Sequence, residues 1–328
     1  MQTLLRYPTT LLFTSGCRVA TGRSAILHLI ERYRATLGLM PCYVPDGVIH
    51  PFQHANVKCV FYKLKADLSP DEDDLQRLIY EHAGARIIVV AIHYFGWLQS
   101  LKRIAAMTRA GGGILFEDCA HRLLGGSTEG DVVLYSLNKF LPVTDGAIMV
   151  SRNPAVDVSI DRGLMPLPEK ARFAYSAHLE ANGRIARGDS IGQAFEDSRN
   201  AYDAYYEEIG DMKLHSQSAE SRALEAETDF SEMRWTREVV SAKLSYRLAG
   251  LAVRPRLSTQ FAFPVRCHGR RREMEMALYS AGVLASTLTN KWDHVLPEFK
   301  IEHDFFDDHL LLPLTGDIDV MVDALKAF

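Results

Sequence analysis

The 328-residue chain has no apolar run of the ~18 to 20 residues that a bilayer span requires. Its opening, Met1 to Pro8 with a short apolar patch at Leu11 to Phe13, lacks the basic and long apolar regions of a signal peptide. Cysteine is scarce: Cys17, Cys42, Cys59, Cys119 and Cys267 are scattered, odd in number and never spaced CxxC. That usage excludes a disulfide framework and a cysteine zinc site, and it fits a reduced, cytoplasmic setting. Neither sign of charge is in excess, with 37 Lys and Arg against 41 Asp and Glu for a net charge of −4. No general field therefore draws the chain to nucleic acid. Two glycine fingerprints, GxxxxGK[ST] and GxGxxG, are absent, which argues against a Walker loop and a Rossmann nucleotide site. His294, His303 and His309 stand in a polar, Asp-rich stretch without HExxH, so no metal site is read there.

What remains is an enzyme-sized α/β pattern. Strands are predicted at 57–64, 86–92, 114–118, 131–137 and 146–151, with helices at 22–37, 69–80 and 100–110 between them. Ser69 reads as the N-cap of the second helix and Pro70 as its first residue. Strands separated by helices imply a mainly parallel sheet covered on both faces. Residues 152–235 are polar and helical, with Tyr202, Tyr205, Tyr206 and Ile209 as an apolar stripe read as core or dimer contact. A helix at 237–251, a turn at Pro255, a strand at 261–266, a helix at 270–281, a strand at 310–314 and a helix at 317–328 follow. The division predicted is a large domain over 1–235 and a small C-terminal α+β domain over 236–328.

Chemistry concentrates between Ile114 and Val150. Asp118 ends a buried apolar strand, where open α/β sheets place their ligands, and a carboxylate there needs a cationic partner. A protonated pyridine nitrogen supplies one. Lys139, 21 positions on, follows a later strand and is a candidate Schiff-base former. An acid for a ring nitrogen and an amine for an aldehyde are the minimum set for pyridoxal 5'-phosphate. Thr21-Gly22-Arg23-Ser24-Ala25 opens a helix, whose free N–H groups favour an anion; Arg23, Ser24 and Ser136 can close a phosphate cup around it.

In order along the chain stand Gly22-Arg23-Ser24-Ala25, Pro41-Cys42-Tyr43-Val44, His93-Tyr94-Phe95-Gly96, Glu117-Asp118-Cys119-Ala120-His121, Ser136-Leu137-Asn138-Lys139 and Thr144-Asp145-Gly146-Ala147. This succession resembles the DegT/DnrJ/StrS-type sugar aminotransferases. The resemblance implies a fold-type I transferase, α/β, dependent on pyridoxal phosphate. It implies Asp118 on the pyridine nitrogen, His121 near the ring hydroxyl, Ser24 and Ser136 at the phosphate, and Lys139 as the amine bonded to the cofactor. It implies a homodimer with shared active sites as well. The chain departs from the pattern in four places, the first being that the family's Thr-aromatic pair after the Pro-x-Tyr segment is absent. Ser136 and Lys139 are three residues apart where the family has five, and Thr144-Asp145-Gly146-Ala147 replaces Gly-Glu-Gly-Gly. No Asn stands at Asp229 to Arg234, where the family lends one to its neighbour; Ser231 or Arg234 is the substitute. Tyr43, His50 and His93 are alternatives for stacking on the ring, and His93 and Tyr94 are assigned to substrate.

The expected activity is transfer of an amino group from an amino acid such as glutamate to a keto sugar, nucleotide-linked if the family's usual acceptor holds. The rivals are another reaction on the same cofactor (elimination, decarboxylation or condensation) and a cofactor-free binding or regulatory subunit.

Overall fold

The computed structural model describes residues 15–124, 128–160, 163–210, 212–253, 259–285 and 297–328. The patch at Leu11 to Phe13, the turn at Pro255 and His294 lie outside them.

Continuous apolar runs build the sheet. Strands β1 (Ser15–Val19), β2 (Leu37–Pro41), β3 (Lys58–Tyr62), β4 (Ile87–Ile92), β5 (Ile114–Asp118), β6 (Val132–Ser136) and β7 (Ala147–Ser151) form most of it. Two-residue strands β8 (Met165–Pro166) and β9 (His215–Ser216) extend one edge, giving the order β3-β2-β4-β5-β6-β7-β1-β9-β8. From β3 to β6 the strands run parallel, and β7 is antiparallel to both neighbours. Every residue of β4 and β5 is buried, as a strand covered on both faces requires. The covering helices are α1 (Gly22–Tyr33), α2 (Asp46–His54), α3 (Glu72–Glu81) and α4 (Lys102–Ala110). The chain is therefore α/β with a mainly parallel sheet between helices, as its sequence implies.

Several boundaries differ from the sequence reading. Helix α1 stops at Tyr33 because Arg34 turns left-handed, at φ 54°, and ends the hydrogen-bond ladder. The cap of α3 is Asp71, whose carboxylate accepts the N–H groups of Asp73 and Asp74; Ser69 instead bonds Asp67 in the preceding turn. Pro70 thus stands before the helix, in a bridge with Leu64.

Beyond β7 the polar stretch forms α5 (Glu169–Ala186), α6 (Ile191–Ile209) and α7 (Ala219–Glu227), with α5 and α6 packed as a hairpin. Helix α8 spans Phe230–Arg247, beginning earlier than periodicity suggests because Asp229 caps it through the N–H groups of Ser231 and Glu232. A two-stranded antiparallel sheet, β10 (Ala262–Arg266) with β11 (His309–Pro313), follows with α9 (Arg271–Ser280), α10 (Lys300–Asp308) and α11 (Ile318–Leu325). The two largest hydrophobic cores among the described residues are one around the large sheet and one joining Leu244, Val265, Met274, Leu278, Leu312 and Met321.

Candidate active site

The parallel strands deliver their C-terminal ends to one mouth. Asp118 is the last residue of β5, in register with Ile92 of β4 and Leu134 of β6. Helix α1 begins over the same strand ends: a Cβ on Gly22 would lie 3.3 Å from Leu134 Cδ2, so glycine lets the helix start approach the sheet. Lys139 closes a short turn, Leu137–Lys139, directly after β6. The sheet topology thus brings an acid, an amine and a helix N-terminus together.

Asp118 is 5% exposed. Burial pushes its carboxyl above the usual range, opposed by the Ala120 N–H at 2.9 Å and by His93 and Lys139 nearby. A buried carboxylate in this state gains most from a cation placed against it. Lys139 is exposed in the single chain, and its ammonium makes no hydrogen bond or ion pair among the described residues. It acts on Asp118, His121, His178 and Tyr206 electrostatically. His121 is half-buried, and burial with the Lys139 charge lowers its imidazole to about 3, so it is neutral at physiological pH. Phe261, just before β10, stacks on that imidazole with ring centroids 4.0 Å apart and planes within 6°.

At the phosphate end, the predicted donors separate. The Ser24 hydroxyl is fully buried and bonded to the Thr21 carbonyl and hydroxyl, both at 3.0 Å. Ser136 donates to Asn138 at 2.7 Å, and Asn138 in turn donates to the Tyr175 hydroxyl. Ala25 is buried with its N–H inside the first helical turn. Arg23 is different. Its Nε is buried without a partner, and its guanidinium carbon lies 3.8 Å from the Tyr206 ring centroid. The backbone N–H groups of Gly22 and Arg23 likewise have no hydrogen bond among the described residues. An orphaned guanidinium N–H beside open helix N–H groups fits a phosphate.

Three assignments change. His93 is 1% exposed, accepts the Gln99 N–H on Nδ1 and donates Nε2–H to Glu117 at 2.9 Å. Tyr94 is 2% exposed, with its hydroxyl on the Tyr43 carbonyl. Buried polar atoms already satisfied inside have no capacity for substrate, so both residues belong to the frame. Tyr43 is 2% exposed and packs its ring against Tyr94 and Phe305 within the core. Of the other ring candidate, His50, the structure shows a residue on α2 at 3.8 Å from Asp46. Arg234 donates to the Leu124 carbonyl of its own chain, and Asp145 accepts from Ser218 and Ser221 to hold the start of α7. Sequence reasoning missed Phe261, and it placed Tyr206 in the core stripe. The stripe divides: Tyr205 is buried, whereas Tyr206 turns one face to Arg23.

No protein-family model and no curated protein sequence matches the chain. Solved structures match its fold. A DegT DnrJ EryC1 StrS aminotransferase from Brucella abortus aligns over 95% of this chain and 85% of its own, at 13% identity and a TM-score of 0.65. The sugar aminotransferase CalS13 from Micromonospora echinospora aligns over 95% and 87%, at 17% identity and 0.63. The PLP form of Spr1654 from Streptococcus pneumoniae aligns over 95% and 86%, at 13% identity and 0.64. Across nearly its whole length, this chain has the fold-type I architecture shared by those aminotransferases.

Proposed function

We propose that the protein is a pyridoxal-phosphate-dependent aminotransferase that moves an amino group from an amino acid to a keto sugar. The observation that carries this reading is the buried Asp118 at a strand end, within the field of an unpaired Lys139, beside the open N-terminus of α1. The fold shared with sugar aminotransferases supports it, as do the DegT/DnrJ/StrS motifs. Residues 1–235 form the cofactor domain in this reading and 236–328 the small domain. A second copy would complete the site over the exposed Lys139, and the free cysteines accord with a reducing, cytoplasmic setting. No helix among the described residues is long and apolar enough to cross a membrane.

When bound, pyridoxal phosphate supplies an aldehyde that bonds amines and a cationic ring that withdraws electrons from the donor's Cα. The chain's own groups do the rest. Asp118 keeps the ring nitrogen protonated. Neutral His121 would stand near the ring hydroxyl. Lys139 would hold the cofactor through its amine and, as a base, would move the proton at the donor Cα. Arg23 and the N–H groups of α1 hold the phosphate.

Purified protein loaded with pyridoxal phosphate and given glutamate is expected to yield 2-oxoglutarate and pyridoxamine phosphate in equal amounts, measured chromatographically. Absence of pyridoxamine phosphate with every amino acid tried would overturn the transamination reading.

A further inference from the structure

The α5–α6 hairpin reaches the mouth at one residue. Tyr206 presents its ring to the Arg23 guanidinium at 3.8 Å, and Tyr202 donates its hydroxyl to that of Tyr206 at 3.2 Å. Tyr205 anchors the same helix turn in a small core with Ala20, Leu167, Ala171 and Tyr175. Tyr206 therefore stands on a backbone fixed from behind. On the other side, Gly47 at the start of α2 lies against Arg23: a Cβ there would be in ordinary contact with its Nε, at 3.6 Å.

A guanidinium stacked on an aromatic ring uses its π face and keeps its in-plane N–H donors available. An acidic partner would fix the arginine equally well but would cancel the charge an anion needs. Arg23 has no such partner among the described residues, and its Nε is the buried donor left over. We infer that Tyr206 is a positioning residue for phosphate, aiming the Arg23 guanidinium across the N-terminus of α1 without neutralising it. This rests on the cofactor reading above and assigns the work of the hairpin within it. Tyr206 does not touch the reacting carbon; its effect passes through Arg23 to the phosphate alone.

Pyridoxal, which lacks the phosphate, separates this role from a general effect on the fold. Dissociation constants for pyridoxal phosphate and for pyridoxal are measured on the full-length, cofactor-stripped protein by equilibrium dialysis. The set is wild type, Tyr206→Phe and Tyr206→Leu, with thermal unfolding of each variant alongside. Wild type is expected to prefer the phosphorylated form. Tyr206→Phe, which keeps the ring, retains that preference, while Tyr206→Leu weakens pyridoxal phosphate about tenfold and leaves pyridoxal unchanged, in the range of a desolvated cation–π contact. An equal loss for both compounds, or no loss for either, in Tyr206→Leu would overturn the assignment while sparing the cofactor reading. Wild-type protein that binds neither compound would overturn both.

Discussion

Lys139 and Asp118 illustrate how differently one mouth treats two charges. The acid is buried and pushed toward its protonated form, whereas the amine is exposed and unpaired. Behind them lies a second charged group with the opposite history. Burial alone would raise Glu117, but the His93 hydrogen bond and the N–H groups of Glu129 and Gly130 outweigh it and hold the carboxyl below its ordinary range. Removing the partner leaves that charge stranded. Glu117→Gln keeps the shape and loses the charge, and His93→Ala strands the carboxylate. We expect His93→Ala to cost about 3 to 5 kcal/mol in urea unfolding and Glu117→Gln less. His121 carries a pH signature. Its imidazole is lowered in the fold to about 3, so the unfolded chain binds the proton first as pH falls. The contribution is intact above the ordinary histidine range near 6.5 and is lost progressively down to about pH 3. The urea midpoint should therefore fall between pH 7 and pH 4 more steeply in wild type than in His121→Gln. Equal slopes would remove His121 from the titration.

At the scale of elements, the turn Tyr94–Gly96 ties the large sheet to the strap before β10. Phe95 accepts the N–H groups of Gln260 and Phe261, and Gly96 sits at φ 88° against that strap. A Cβ on Gly96 would stand 2.5 Å from the His121 carbonyl oxygen and 2.6 Å from the Gln260 nitrogen, both backbone atoms that cannot step aside. We expect Gly96→Ala to cost more than about 2 kcal/mol in denaturant unfolding, through both the left-handed backbone and the clash. A near-neutral result would show that the strap yields. The same region shows what could be read from sequence. Strands β4 and β5 were legible because unbroken apolar runs such as Ile87 to Ile92 leave no solvent face. The two-residue strands β8 and β9 carry no period at all. Ser69 and Asp71 both qualify as caps, and only the backbone geometry chooses the aspartate. Asp118 and Lys139 stood out by chemistry and position. His93 and Tyr94 looked like substrate ligands because a hydrogen bond spent inside a protein leaves no mark on its sequence. Phe261 had no signal, since its partner His121 lies 140 positions earlier.

For the molecule as a whole, a net charge of −4 gives no long-range attraction for an anion, so any anionic ligand has to be met by local cations. Near Lys139, Arg237 donates to the Gln260 carbonyl and lies over the Phe140 ring at 5.2 Å. Large apolar side chains remain exposed in the single chain, among them Trp235 and Phe173 at 69% and 66% exposure, faces that the proposed second copy would cover. We expect size-exclusion chromatography with light scattering to report about twice the 36.8 kDa chain mass. All of these assignments turn on one covalent link. Reducing the pyridoxal-phosphate-loaded protein with borohydride and mapping the tagged peptide by mass spectrometry tests it most directly. The tag is expected on the peptide that contains Lys139 and is absent in Lys139→Ala. A tag on another lysine, or none in the wild-type protein, would contradict the reading.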